Sequence, residues 1–166
     1  FSSISYQDSL HDIAFPEPGS AVAVGDNGII LRTTDSGTNW ALVTPPDSGL
    51  NILAIDFIDA QNGVAYCDDF IYPKLLTNDG GQNWTIDSTW LITFVYPIFR
   101  AIDYLPSGSG LLVGESNQAF GAAFINEYSA AAHVPPRFLY GGHLQTDSLA
   151  WVCGAGGHIA RYSKPT

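Results

Sequence analysis

The sequence TNDGGQNW, from Thr77 to Trp84, decides the fold because a close copy of it, TTDSGTNW, runs from Thr33 to Trp40. Both copies follow the pattern Thr-x-Asp-x-Gly-x-x-Trp, which is typical of a tight turn between two antiparallel strands. The Asp carboxylate accepts hydrogen bonds from backbone N–H groups of the turn, and Gly supplies a positive φ. The Trp then opens the next strand and packs on a neighbouring sheet. We call each copy an Asp turn, and we predict a structural role for its defining residues: Thr33, Asp35, Gly37, Trp40, Thr77, Asp79, Gly81 and Trp84.

A second pattern occurs four times and extends the repeat to the whole chain. Each time, a large apolar residue, the anchor, is followed ten residues later by Gly or Cys at the end of a short apolar strand. The anchors are Phe15, Phe57, Tyr104 and Leu144, which lie 42, 47 and 40 residues apart. Self-similarity at this period predicts an array of supersecondary units. The units occupy residues 8–47, 48–90, 91–136 and 137–166 of a single domain, 1–166.

The Asp turn is similar to the Asp-box of bacterial neuraminidase repeats. The longer run VGDNGIILRTTDSGTNW, Val24 to Trp40, more closely resembles the repeat of the photosystem II stability and assembly factor family. This resemblance implies an all-β protein, a β-propeller of about four four-stranded antiparallel blades. It implies no single function, because Asp-boxes occur in sialidases, xyloglucanases, sortilin-like receptors and non-catalytic propellers alike. The assembly-factor family carries an arginine-rich patch, whereas this chain has only four arginines.

The fourth unit supplies strands for only three of its four positions. Residues 1–7 complete it if Ser2 to Tyr6 pair with His158 to Ser163, which closes a small ring of four blades. Alternatively, the four units are part of a larger propeller. The sequence leaves both alternatives open.

Composition excludes several classes of partner. The formal net charge is −10, from 6 Lys and Arg against 16 Asp and Glu, which disfavours nucleic acid and anionic membrane surfaces. No apolar run is long enough for direct membrane insertion. The chain contains no Met, so Phe1 is not a translation start and the chain is a processed product or a piece of something longer. Few Lys and many polar turns favour an extracytoplasmic bacterial protein, secreted, periplasmic or at the cell surface.

Candidate binding residues lie one or three positions before the anchors. Asp12, Asp56, Asp103 and His143 lie on the strand face opposite the apolar residues, and the resemblance predicts that they converge near the propeller axis. They form an acidic binding centre, or each carboxylate bonds to backbone or water. Asp56 and Asp103 are the catalytic candidates if the chain is a xyloglucanase-like glycoside hydrolase. No cofactor is predicted, and the acidic loops permit calcium without requiring it.

Two further features complete the sequence predictions. The aromatic run Trp90, Phe94, Tyr96 and Phe99 forms either a platform for a protein or glycan partner or a long outer strand. Cys67 and Cys153 fall in non-adjacent units, which predicts two buried free thiols. The leading interpretation is a non-catalytic scaffold that binds a protein partner or a larger assembly. The alternative is a glycan-binding or glycoside hydrolase propeller fragment; a sialidase is disfavoured because the chain has only three Glu.

Overall fold

The computed structural model describes residues 7–68, 74–87, 98–115, 122–125 and 138–163. The chain divides into two compact units, unit 1 (Phe1–Leu91) and unit 2 (Ile92–Thr166). The predicted single domain stays a prediction. Within the described ranges, no helix is both long enough and apolar enough to cross a membrane.

Unit 1 contains two four-stranded antiparallel sheets, each formed by consecutive strands in chain order. The strands of sheet 1 are β1 (Leu10–Glu17), β2 (Ser20–Gly25), β3 (Ile30–Thr33) and β4 (Ala41–Val43). The strands of sheet 2 are β5 (Ile52–Phe57), β6 (Gly63–Cys67), β7 (Lys74–Thr77) and β8 (Thr85–Ile86). Every predicted strand of the first two repeats is therefore present, although β4 and β8 begin one residue after the tryptophans of the Asp turns.

Unit 2 contains two antiparallel sheets, with three strands each in the part of the chain that is described. The strands of sheet 3 are β9 (Ile98–Tyr104), β10 (Gly110–Glu115) and β11 (Ala122–Ile125). The strands of sheet 4 are β12 (Leu139–Thr146), β13 (Leu149–Gly154) and β14 (His158–Ser163). The all-β prediction is confirmed. Residues 1–6, which include the Ser2 to Tyr6 segment that one of the two alternatives pairs with the fourth unit, lie outside the described residues.

The first strand of every sheet carries a β-bulge at the same repeat position. In the pairing of each first strand with the second, one residue is skipped. The skipped residues are His11, Leu53, Arg100 and Tyr140, each four positions before its anchor. A bulge bends its strand and redirects the side chain of the extra residue. The repeat is therefore a repeat of backbone geometry as well as of sequence.

Close backbone contact explains why Gly ends the second strand of sheets 1 and 4. A Cβ atom on Gly25 would lie 1.9 Å from the carbonyl oxygen of Ser9, and one on Gly154 would lie 2.2 Å from that of Phe138. The next backbone N–H donates to the same oxygen, over 2.9 Å in sheet 1 and 2.8 Å in sheet 4. Glycine is the residue that permits such an approach. Sheet 2 makes the same hydrogen bond from Asp68 to Asn51 (3.0 Å), but there Cys67 occupies the glycine position.

Successive sheets within a unit pack face to face. We call the side of a sheet that meets the next sheet its forward face, and the opposite side its backward face. In unit 1 the forward face of sheet 1 (Val22, Val24, Ile30) and the backward face of sheet 2 (Ile55, Phe57) form one buried cluster. In unit 2 the corresponding faces of sheets 3 and 4 form a second cluster, which contains Leu111, Val113, Leu139, Leu144, Ala150 and Val152.

Candidate interaction sites

Asp12 connects two neighbouring sheets of unit 1. Its Oδ1 accepts a hydrogen bond from the Ile13 N–H (2.8 Å), and its Oδ2 accepts one from the Ile55 N–H on sheet 2 (2.9 Å). Burial raises the pKa of Asp12, and the hydrogen bonds from Ile55 and Ile13 act in the opposite direction. Both oxygens are occupied by backbone groups, so Asp12 holds sheet 2 against sheet 1.

Asp103 makes the equivalent connection in unit 2. Its Oδ2 accepts a hydrogen bond from the Leu144 N–H on sheet 4 and lies 2.7 Å from Nδ1 of His143. The side chain of His143 is 72% exposed, whereas that of Asp103 is 24% exposed. Asp56 accepts a hydrogen bond from the N–H of the adjacent Phe57 (2.8 Å).

These contacts favour one of the two interpretations of the predicted acidic centre. The structure brings Asp103 and His143 together within unit 2, while Asp12 and Asp56 belong to unit 1. The carboxylates of all three Asp residues accept backbone hydrogen bonds, as the structural alternative required. The catalytic alternative for Asp56 and Asp103, which belong to different units, stays a prediction, and so does a ligand-binding role for the four residues.

The Asp turns have the hydrogen bonds that the sequence predicted. Oδ1 of Asp79 accepts from the N–H groups of Gln82 and Asn83, both at 2.9 Å, and from the Thr77 hydroxyl at 2.9 Å. Its Oδ2 accepts from the Asn83 side-chain amide at 2.7 Å. Burial acts to raise the pKa of Asp79, but the hydrogen bonds outweigh it and the pKa is lowered. Gly81 has a φ of 82°, which a residue with a side chain rarely adopts.

The first Asp turn repeats this arrangement with one difference in packing. Oδ1 of Asp35 accepts from the Asn39 N–H at 2.9 Å, and Oδ2 from its side-chain amide at 2.7 Å. These bonds, with Asn39 contributing most, lower the pKa of Asp35. Trp84 of the second turn is only 6% exposed, whereas Trp40 of the first is partly buried on Ala23, Ile29 and Leu31. The motif therefore fixes the turn, and the neighbouring sheet determines how deeply its Trp is buried.

The aromatic run lies mostly outside the described residues, and the prediction for the two cysteines needs a correction. Trp90, Phe94 and Tyr96 lie outside the described residues, and Phe99 is a residue of β9, so the aromatic platform stays a prediction. The prediction of two buried thiols is wrong for one of them. Neither cysteine forms a disulfide, but Cys153 is exposed while Cys67 is buried. Cys153 lies on the forward face of sheet 4, and the side chains of this face are accessible to solvent.

The start of sheet 4 presents two exposed aromatic side chains that the sequence interpretation missed. Phe138 and Tyr140 are each 56% exposed. Tyr140 is the extra residue of the bulge in β12. The alternation of a regular strand does not reveal a bulge, but the position of Tyr140 four residues before its anchor was visible in the repeat. Large exposed aromatic residues are enriched where proteins bind partners.

The part of unit 1 that corresponds to the start of sheet 4 carries polar side chains. The Nε2 atom of His11, the bulge residue of β1, lies 2.6 Å from Oδ1 of Asp26. The hydrogen bond between them lowers the pKa of the Asp26 carboxylate. Asn27 donates to Asp8 over 2.7 Å. Asn51 donates through its side-chain amide to Asp68 over 2.8 Å. Among the residues that the structure describes, no three His, Cys, Asp or Glu side chains are grouped to hold a metal ion.

A cavity of about 500 Å³ lies in unit 1 beside β4. Its lining combines polar groups of both Asp turns, including Asp35 and Asn83, with Arg32 and the apolar side chains of Trp40 and Leu42. The Nε atom of Arg32 donates to the carbonyl oxygen of Gly80 over 2.8 Å, so this side chain links sheet 1 to the Asp turn of sheet 2.

Comparison with known proteins identifies the class of fold. No family model matches the chain. A solved structure described as YCF48 bound to D1 peptide has a TM-score of 0.55 at 20% identity, covering 95% of this chain and 64% of that chain. A structure of YCF48 from Cyanidioschyzon merolae has a TM-score of 0.59 at 15% identity, covering 99% of this chain and 59% of that one. The protein therefore has the fold of β-propeller blades, and the predicted fold class is confirmed.

The sequence comparison identifies a related protein by name. Over 79 residues the chain is 34% identical to the photosystem II assembly lipoprotein Ycf48 of Synechococcus sp. (strain CC9902). This alignment covers 45% of the chain and 22% of the relative, so the match spans about a fifth of that protein's length. The resemblance to photosystem II assembly-factor repeats, first seen in Val24 to Trp40, is confirmed.

Proposed function

We propose that this protein is a non-catalytic β-propeller module that binds a segment of a protein partner. The observation that carries the proposal is the similarity to YCF48, of which one solved structure holds a D1 peptide. The hydrogen bonds of Asp12, Asp56 and Asp103 are consistent with it, because these carboxylates bind the protein's own backbone.

The partner segment binds at the start of sheet 4 in this proposal, on Phe138 and Tyr140. Each of these aromatic side chains is 56% exposed, so both offer apolar area to a ligand. Aromatic residues commonly carry most of the binding energy of an interface. The net charge of −10 favours a segment with basic residues, since opposite charge steers association.

Peptide selection tests the proposal. Peptides are selected from a displayed random library on the wild-type chain, and their affinities are measured by calorimetry. We expect apolar peptides with basic flanks, and a loss of at least about tenfold in affinity for the Phe138→Ala/Tyr140→Ala variant. Leu42→Ser is the matched control, because it removes a 64% exposed apolar side chain from unit 1. Equal affinity for wild type and the double variant would refute this assignment of the site.

An extracytoplasmic location in a bacterial cell is a further part of this proposal. Its support is the composition of the chain, with 6 Lys and Arg in 166 residues and polar turns. Fractionation of cells that express the native gene, followed by immunodetection, tests it. Recovery of the protein only in the cytoplasm would contradict it.

A further inference from the structure

The cavity beside β4 is a cleft between sheets 1 and 2, and both Asp turns line it. Its volume of about 500 Å³ lies in the range of small-molecule sites, about 300–1,000 Å³. Asp35 and Asn39 line it from the first Asp turn, and Gln82 and Asn83 line it from the second. All four residues belong to unit 1, so neighbouring sheets of a single compact unit form the site. We call this site the inter-sheet cleft.

Three side-chain amides that line the inter-sheet cleft keep their oxygen atoms available as hydrogen-bond acceptors. Nδ2 of Asn39 donates to Oδ2 of Asp35 over 2.7 Å. In the second turn, Nδ2 of Asn83 and Nε2 of Gln82 donate to Asp79, over 2.7 Å and 2.8 Å. These bonds fix the orientation of each amide, since only its nitrogen can donate. Within the described residues no group donates to the three amide oxygens, so a ligand can do so.

Arg32 adds hydrogen-bond donors to the same lining. Its side chain is held in place, because Nε donates to the carbonyl oxygen of Gly80 over 2.8 Å. In the part of the chain that the structure describes, Arg32 forms no ion pair and its Nη atoms donate no hydrogen bond. A guanidinium carries N–H donors on both Nη atoms, so these groups remain for a ligand.

The charges of the inter-sheet cleft favour a neutral ligand. Arg32 and Asp35 are the charged residues of its lining, and their charges are opposite. The Asp35 carboxylate already accepts hydrogen bonds from Asn39 and from the Thr33 hydroxyl, the latter over 2.8 Å. Asp35 therefore does not need a cation as a partner. Its negative charge, together with the net charge of −10, disfavours an anion beside Arg32.

The polar groups also select the kind of neutral ligand. An apolar ligand would leave the amide oxygens without a partner, which costs affinity. A hydroxyl group both donates and accepts, so neighbouring hydroxyls of one ligand can donate to an amide oxygen and accept from Arg32. Val43 packs on the core of unit 1 and also lines the cleft, where it provides contact for C–H groups. Adjacent hydroxyls on a ring that also carries C–H groups are the chemistry of a sugar.

An extended peptide fits the inter-sheet cleft less well. Addition of a strand to β4 needs a row of backbone N–H and C=O groups. β4 has only the three residues Ala41–Val43, and Pro45 and Pro46 follow it closely. Proline has no N–H group, so the pairing could not continue beyond the strand.

We propose that the inter-sheet cleft binds a neutral sugar unit of a glycan. Hydroxyl groups of the sugar donate to the three amide oxygens and accept from the Nη atoms of Arg32. This inference goes beyond the proposed binding of a protein segment, and it does not use the aromatic residues at the start of sheet 4.

Saturation-transfer-difference NMR on the 166-residue chain tests the proposal. The neutral probes are cellobiose, maltose, lactose, mannobiose and N,N′-diacetylchitobiose, with digalacturonic acid as an anionic sugar and tetra-alanine as a peptide. We expect transfer to at least one neutral disaccharide, whose affinity is then measured by calorimetry, and none to tetra-alanine. Arg32→Met should weaken that affinity by at least about tenfold, and Gln82→Ala by about three- to tenfold.

Thr38→Ala is the matched control for Gln82→Ala. Thr38 occupies the position in the first Asp turn that Gln82 occupies in the second. Each side chain donates to the carbonyl oxygen of the Asp in its own turn, over 2.9 Å for Thr38 and 2.8 Å for Gln82. Of the two, only Gln82 lines the cleft, so Thr38→Ala should keep the wild-type affinity. The Phe138→Ala/Tyr140→Ala variant should keep it as well, which separates this site from the proposed partner site.

Far-UV circular dichroism checks the fold of each variant. If Arg32→Met fails to fold, Gln82→Ala carries the test alone, because Gln82 is exposed. Absence of transfer to every neutral disaccharide overturns the proposal, as does an unchanged affinity in Gln82→Ala or an equal loss in Thr38→Ala. Tighter binding of digalacturonic acid or tetra-alanine overturns the assignment of a neutral sugar. Loss of sugar binding in Phe138→Ala/Tyr140→Ala overturns the assignment of the cleft.

Discussion

Replacing the two equivalent tryptophans by alanine should have unequal effects on stability. Trp84 is 6% exposed and packs on Phe57, while Trp40 is partly buried on the cluster of Ala23, Ile29 and Leu31 in its own sheet. An aromatic side chain buries about 150–250 Å², which at about 25 cal/mol per Å² gives about 4–6 kcal/mol. Measured truncations of buried aromatic residues fall at about 3–5 kcal/mol.

We therefore expect Trp84→Ala to lower the free energy of unfolding by about 4 kcal/mol and Trp40→Ala by about 2 kcal/mol. Urea unfolding followed by far-UV circular dichroism measures both, since fluorescence would change with the removed indole itself. The comparison is internally matched, because the two residues occupy the same position of the same motif. Equal losses, or a larger loss for Trp40→Ala, would show that burial by the neighbouring sheet does not determine the contribution of the motif.

The remaining predictions concern a close contact, a carboxylate and a thiol. Gly25→Ala should lower the free energy of unfolding by at least about 2 kcal/mol, because its Cβ would overlap the Ser9 carbonyl; an unchanged urea midpoint would contradict this. Asp79→Ala should cost about 2 kcal/mol at neutral pH through the lost hydrogen bonds. Because folding lowers the pKa of Asp79, this stabilisation is present above the ordinary value of 3.8 and is lost as the pH falls through the folded pKa, so denaturation of wild type and variant should converge in acid. In dilute solution a thiol reagent should modify Cys153 in the native chain and Cys67 only after unfolding, as mass spectrometry would show; equal rates would refute the assigned exposures.

The sequence was sufficient for the order of strands and for the turns that join them. A two-residue alternation predicts a strand locally, and the Asp turn carries its own hydrogen-bond acceptor, so neither depends on distant contacts. β6 ends where the repeat placed it, at Cys67. The segments GDNG (25–28) and GAGG (154–157) occupy the same repeat position, and their backbones are alike in that Asn27 and Gly156 both adopt a positive φ.

Features that depend on a neighbouring sheet could not be predicted in the same way. Cys153 shares its repeat position with the fully buried Val24. No feature of the neighbouring sequence indicates that the sheet face that carries Cys153 is accessible. Asp12 and Asp103 have the residue type of an acidic site, and only the placement of the next sheet shows that they bind backbone N–H groups. The bulges at His11 and Tyr140 shift side chains without any change in residue type.

The most direct test of the account is amide hydrogen exchange at Ile55 and Leu144, measured by NMR on the native chain. The central claim is that successive sheets within each unit are joined by an Asp carboxylate that accepts a backbone N–H from the next sheet. Ile55 lies on the first strand of its sheet, where the edge has no further strand in that sheet. The account predicts slow exchange at Ile55 that is lost in Asp12→Ala, and slow exchange at Leu144 that is lost in Asp103→Ala. Fast exchange at either amide in the wild-type chain would contradict it.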